Sequence, residues 1–401
     1  MPVYLFSGSP LRQATERFGT KRARLLADIE TIALFSLPLT TRFRRITVRE
    51  GLLFHGANGW GECAPFWDYD PAESSTWLKA ALEQATGDPA DEAGTPPAVQ
   101  QAVPAQQTTN SPTLAGASAE QISVKQPFTG QRRTVPVNVT IPVESPEAAA
   151  RRAATAGCAT AKVKVADPGV SLAEDAARVQ AVAWALADSH GERARVRVDA
   201  NAAWTLPQAL EAAAVLMEAA APVGGLEYLE QPCASVADMR ELRSRLEGAV
   251  KVAADELIRR SSDPLEVVRE GGADLVIVKV APLGGAQAIR SLAAQLAPFG
   301  VPLVVSSAVD SSMGIASGVE VAASLPQLPY ACGLDTGRLL AEDVVPEPLR
   351  SSGGFLDVEQ ARQMRTQDLD LRQEAPSLLA EKWWERLGAM LSQLTLAGEA
   401  K

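Results

Sequence analysis

The chain has 401 residues, 46% of them apolar and 21% charged, the balance of an ordinary globular protein long enough for one barrel with an added lobe. A formal net charge of −10 argues against nucleic acid as a general partner. No apolar run reaches transmembrane length and no secretory leader opens the chain, so the expectation is a cytoplasmic protein with no membrane partner.

Two histidines, His55 and His190, and four scattered cysteines without a C-x-x-C pair leave no histidine nucleophile, zinc or disulfide pattern. Acid–base work falls to lysine and carboxylate. Residues 1–26 are basic and irregular and are expected to lie outside the fold. Residues 27–130 are expected to form an α+β capping domain. It opens with antiparallel strands between about 29 and 62: an apolar run over 31–37, a turn containing Pro38 and followed by Arg42, Arg44 and Arg45, then a run over 48–54. Asn58-Gly59 is a hairpin signal, and Asp70-Pro71 starts a helix to about residue 86. Between about 87 and 130 periodicity gives way to Pro, Ala, Gln, Thr and Ser, which predicts a low-complexity insertion.

Pattern returns at Val135, and strand and helix signals alternate to about residue 345. Helical stretches fall at about 146–156, 172–187, 207–220, 236–245 and 286–296, and the last strands at about 302–305 and 331–334. Eight strands separated by helices predict a (β/α)8-type barrel over residues 131–345. The segment 346–401, with Trp383, Trp384 and Leu387, is expected to pack back on the cap.

Five apolar runs of the barrel end in, or carry, a charged residue: Lys164, Asp199, Glu230, Asp255 and Lys279. They recur at the length of one strand plus one helix, which places them side by side at one barrel mouth. Period-two alternation puts Lys162 below Lys164 on one face, aligns Arg197 with Asp199 and Asn201, and selects Glu230 over Glu227. Converging carboxylates repel one another, and a hard divalent cation such as Mg²⁺ bound by Asp199, Glu230 and Asp255 resolves that repulsion. A lysine with depressed pKa can take a proton beside a carboxylate, and a protonated one can stabilise the charge that results. Lys162 would help depress Lys164. The loop Ser306, Ser307, Ser311, Ser312 and Gly314 before a helix can offer backbone N–H groups to a substrate carboxylate.

The ordered set of K-x-K at Lys162 and Lys164, D-x-N at Asp199 and Asn201, E-Q-P at Glu230, D-E at Asp255 and the Lys279 strand resembles the muconate-lactonising subgroup of the enolase superfamily. The resemblance implies an N-terminal α+β cap on a barrel, a divalent metal, and removal of a proton alpha to a carboxylate. Further matches lie in the cap: Phe35 to Leu39, Arg49-Glu50-Gly51, Gly59-Trp60-Gly61-Glu62 and Pro65 to Asp70. They resemble the subgroup's dehydratases, whose small-molecule dicarboxylate substrate is a cyclohexadiene bearing a hydroxyl and a succinyl side chain. Carried over, Lys164 is the base, Lys279 the opposing cation, Asp199, Glu230 and Asp255 the metal ligands, with Lys162 and Asn201 in support. Arg197 would meet part of the substrate's charge. Racemisation of N-acylamino acids or epimerisation of dipeptides needs the same two lysines and is the alternative. Asp335 departs from the dehydratase pattern, where a glycine is expected. The epimerases use an Asp-x-Asp pair nearby.

Overall fold

The computed structural model describes residues 3–87, 132–261 and 263–399. Four antiparallel strands begin the chain: β1 (Val3–Ser7), β2 (Ile29–Phe43), β3 (Ile46–Gly56) and β4 (Gly59–Cys63), paired in that order. The first corrects the expectation that residues 1–26 lie outside the fold. β1 pairs with β2, and Phe6 stacks on Trp384 at 4.5 Å between ring centroids. Its apolar run is too short to show a period among the basic residues after it. A second difference concerns Pro38, which is not in a turn but in β2, paired with Val48. β1 reaches only to Phe35, so the missing N–H of Pro38 interrupts no ladder with β1, and the carbonyl of Pro38 accepts from the Ala341 amide at 2.8 Å. The chain reverses instead at Arg44 and Arg45, both at positive φ.

The β3–β4 hairpin turns one residue earlier than Asn58-Gly59, since Gly56 pairs with Gly59. Gly59 sits at φ +92°, and a Cβ there would stand 2.4 Å from the carbonyl oxygen of Arg365. The helix Pro71–Thr86 starts as a capped helix should: Pro71 is in its first turn, and Asp70 accepts from the Glu73 amide at 2.8 Å. It buries Trp77, Leu78 and Ala81 against the sheet, and the terminal helix Ser377–Glu399 adds Trp383, Trp384 and Leu387 to the same core. The low-complexity insertion falls almost wholly on residues 88–131, outside the described residues.

The second body holds β5 (Thr134–Pro136), β6 (Val139–Ile141), β7 (Thr160–Lys164), β8 (Arg195–Asp199), β9 (Leu226–Glu230), β10 (Lys251–Ala254), β11 (Leu275–Lys279), β12 (Leu303–Ser306) and β13 (Phe355–Asp357). β6 to β12 form one parallel sheet in chain order, while β5 pairs with β13. The expected eighth strand is reduced to two parallel bridges, Val137 with Cys332 and Ser306 with Gly333. These still close the ring: Cys332 N–H donates to the Pro136 carbonyl at 2.7 Å and Gly333 N–H to that of Val305 at 2.8 Å. Alternation sorts each strand. Val276 and Val278 join the layer under the helices, whereas Leu275 and Ile277 pack inside the barrel with Tyr228, Ala253 and Val304. Lys279 follows on that inner face, at the C-terminal end where barrel sites form.

Candidate active site

Register alone brings the charged strand ends together. Lys164 pairs with Asp199 and Asp199 with Glu230 across three neighbouring strands, and Lys279 pairs with Ser306. Lys162 Nζ donates to Glu230 Oε1 at 2.7 Å and stands 3.5 Å from Asp199 Oδ2. Lys164 Nζ bonds Asp199 and donates to Asn201 Oδ1 at 2.8 Å. Lys279 Nζ donates to Asp255 Oδ2 at 2.5 Å. The three acids are buried. Gln231 braces two strand ends, its Oε1 accepting from the amides of Asp255 at 2.8 Å and Leu257 at 3.2 Å.

Burial and pairing split the ionisations. Burial holds Lys164 below the usual lysine range and Lys162 pushes the same way, while Asp199 opposes. Burial would lower Lys162 too, but Glu230 and Asp199 outweigh it and hold it above that range. Burial works against charge on Asp199, yet the two ammonium groups beside it keep it well below the carboxylate range. Glu230, buried beside Asp199 with one lysine on one oxygen, is raised. Asp255 is lowered: Lys279 and Arg259 overcome its burial.

The donor set suits a hard cation. Three buried carboxylates end successive strands, and Glu230 Oε2 is buried without a hydrogen-bond partner, a group that demands a counter-charge. As the side chains stand, lysines supply that charge, and among the described residues no three acids enclose an ion.

Above these groups lies a chamber walled by Phe43 and Arg44 of the cap and by Asn201, Arg259, Ser306 and Ser307 of the barrel. Arg44 bonds the phenolic oxygen of Tyr69 at 3.1 Å, and its guanidinium sits 4.5 Å from the Phe66 ring centroid. Arg259 reaches the same oxygen at 3.0 Å but also pairs with Glu256 at 2.8 Å and Asp255 at 3.3 Å. Arg44 does not stand out from the sequence, because only cap docking turns a polar hairpin tip toward the barrel mouth, whereas Arg259 ends the short barrel helix Glu256–Arg259 that follows Asp255.

Four expected substrate contacts are corrected. Arg197 points into the barrel floor, fully buried, with Nε 2.8 Å from Glu227 and Nη1 2.8 Å from both Tyr228 Oη and the Ala331 carbonyl. A register shift between Val196 and Val198 places Glu227 and Tyr228 together opposite it, which breaks the alternation that separated Glu227 from this face. Ser311, Ser312 and Gly314 serve internal acids. Ser311 N–H and Oγ and Gly314 N–H donate to Glu62, and Ser312 N–H and Oγ to Asp343. The helix Ser312–Ser324 thus spends its N-terminus on a carboxylate of the cap. Ser306 and Ser307 do line the chamber. Asp335 is buried against Arg338 Nε at 2.5 Å and Ser351 Oγ at 3.0 Å, away from the chamber.

A capped parallel barrel with lysines and carboxylates at its C-terminal mouth defines a class, and comparison with known proteins agrees. Residues 145–362 match the enolase C-terminal domain-like family and 34–85 the enolase N-terminal domain-like family. The o-succinylbenzoate synthase of Thermobifida fusca is 46% identical over 81% of this chain and 86% of its own. That of Mycobacterium bovis BCG is 41% identical over 92% and 96%. The L-Ala-D/L-Glu epimerase of Bacillus subtilis superposes with a TM-score of 0.61 at 21% identity, over 81% of this chain and 94% of its own, a likeness of fold. The chain belongs to the enolase superfamily and, within it, to the o-succinylbenzoate synthase family of enzymes.

Proposed function

We propose that this enzyme dehydrates 2-succinyl-6-hydroxy-2,4-cyclohexadiene-1-carboxylate to o-succinylbenzoate, a step of menaquinone synthesis, by syn elimination. The observation that carries the reading is the 41–46% identity to o-succinylbenzoate synthases over most of the chain, and the pair Lys164 and Lys279 on opposite sides of the buried acids supplies the chemistry. Lys164, held below its usual range by burial, takes the proton alpha to the ring carboxylate through Nζ. The electron pair left on carbon forms the new ring double bond as the C–O bond breaks. The same Nζ then returns its proton to the departing hydroxide, giving water. Lys279 stays protonated beside the carboxylate that gains charge. Asp199, Glu230 and Asp255 would hold Mg²⁺, which when bound supplies positive charge to that carboxylate. Arg44, whose recorded partners are a phenol oxygen and aromatic faces, faces the succinyl carboxylate.

The epimerase reading loses its carrier, because Asp335 is committed to Arg338 and Ser351 and cannot meet a substrate ammonium. The test is to mix protein, Mg²⁺ and the cyclohexadiene and follow loss of diene absorbance. Turnover that vanishes in Lys164→Ala is the expected result. A wild-type protein inert toward the diene refutes it.

A further inference from the structure

The chamber wall beside Lys279 is the loop 306–311, which joins β12 to the helix Ser312–Ser324. Within it Val309 is buried, lines the chamber and stands at φ +60°. That is left-handed backbone, which a β-branched residue adopts only when its surroundings enforce it. The constraint comes from the other body. Arg49, on β3 of the cap and 2% exposed, donates Nε to the Val309 carbonyl at 3.1 Å and Nη2 to the Ala64 carbonyl. Its guanidinium lies 4.3 Å from the Phe66 ring centroid, so it has little freedom to follow the loop. The loop's far end is fixed by Glu62 of β4, which accepts from the Ser311 amide at 3.1 Å and the Gly314 amide at 3.0 Å. Asp310 closes the turn by accepting from the Ala308 amide at 3.2 Å.

We propose that Arg49 is a positioning residue: the docked cap, through this side chain, holds the Val309 turn in its left-handed form and so sets the chamber wall next to Lys279. It touches neither reacting atoms nor Asp199, Glu230 and Asp255; the acids it faces are Asp310 and Glu62. The inference rests on the chamber being the dehydration site, and it makes cap docking part of assembling that site. A charge-assisted hydrogen bond to the carbonyl of a strained residue is strong enough to select the strained form. Without it the turn relaxes toward negative φ and carries Ala308 and Val309 with it.

The experiment is a double-mutant cycle of Arg49→Met with Val309→Gly, since glycine takes φ +60° without strain. Arg49→Met is expected to lower kcat/KM roughly 10- to 100-fold, as misplacement by about 1 Å does. In the Val309→Gly background the same substitution should cost roughly threefold or less. Equal losses in both backgrounds, or an Arg49→Met enzyme with wild-type kcat/KM, overturn the proposal. Hydrogen exchange of the amides over 307–314 gives a readout independent of turnover. It should quicken about tenfold in Arg49→Met while the strand carrying Lys164 is unchanged. If wild type does not turn over the diene, the functional reading falls and exchange alone decides the positioning role. Should Arg49→Met fail to fold, Arg49→Lys keeps the buried charge but cannot reach both carbonyls. Exchange over 307–314 identical to wild type in that variant overturns the proposal, and faster exchange there supports it.

Discussion

Replacing Lys162 by Met probes the charge balance of the acids directly. The ammonium lies 2.7 Å from Glu230 Oε1 and 3.5 Å from Asp199 Oδ2, with the lysine side chain 7% exposed. Coulomb's law at an effective dielectric of about 20 gives roughly 6 and 5 kcal/mol for the two contacts. Removing the lysine also removes its own cost of burial, so the net loss approaches the roughly 3–5 kcal/mol seen when one partner of a buried pair is deleted. Glu230 is left worst, because its other oxygen already lacks a partner. In EDTA the thermal unfolding midpoint of Lys162→Met, followed by circular dichroism, should fall by about 5 °C or more. Saturating Mg²⁺ should recover at least half of that loss, since the cation would neutralise the same carboxylates. A variant in EDTA within about 1 °C of wild type would refute the account of Lys162 as their counter-charge, and a loss untouched by Mg²⁺ would refute Asp199 and Glu230 as metal ligands.

Arg44→Met should lower kcat/KM by roughly 10- to 100-fold, the worth of one charge-assisted hydrogen bond, mostly through KM; steady-state kinetics with an unchanged KM would remove Arg44 from substrate binding. Burial, then Asp310, raise Glu62 from 4.5 to about 8, with Ser311 and Arg49 opposing. The folded state therefore favours the protonated form. Stability is full below the unfolded value near 4.5, falls as pH rises, and reaches its lower level above about 8. Glu62→Gln keeps an acceptor for the Ser311 and Gly314 amides and should flatten the unfolding midpoint between pH 6 and 9; parallel curves for the two proteins contradict this. At Gly61 a Cβ would stand 2.0 Å from the Ala81 carbonyl oxygen, so Gly61→Ala should destabilise the cap by about 1–3 kcal/mol, read as an earlier transition in thermal unfolding.

Period two and strand-plus-helix spacing determine much of this protein without any structure. They place Lys162, Lys164, Asp199, Glu230, Asp255 and Lys279 on inner faces at strand ends, because side-chain direction along a strand is a local property of the backbone. Length and alternation likewise call for a parallel barrel. What is not local escapes the sequence. The register shift in β9 turns Glu227 to Arg197 and takes that arginine into the barrel floor, and a bulge leaves no periodic mark of its own. The serine-rich loop reads as a carboxylate site, but only docking of the cap reveals that Glu62 already fills the helix N-terminus. Val3 to Ser7 becomes a strand because β2 offers an edge and Trp384 a ring to pack on. Arg44 and Arg49 acquire their roles the same way. Each depends on a partner far along the chain, and only tertiary packing decides which partners meet.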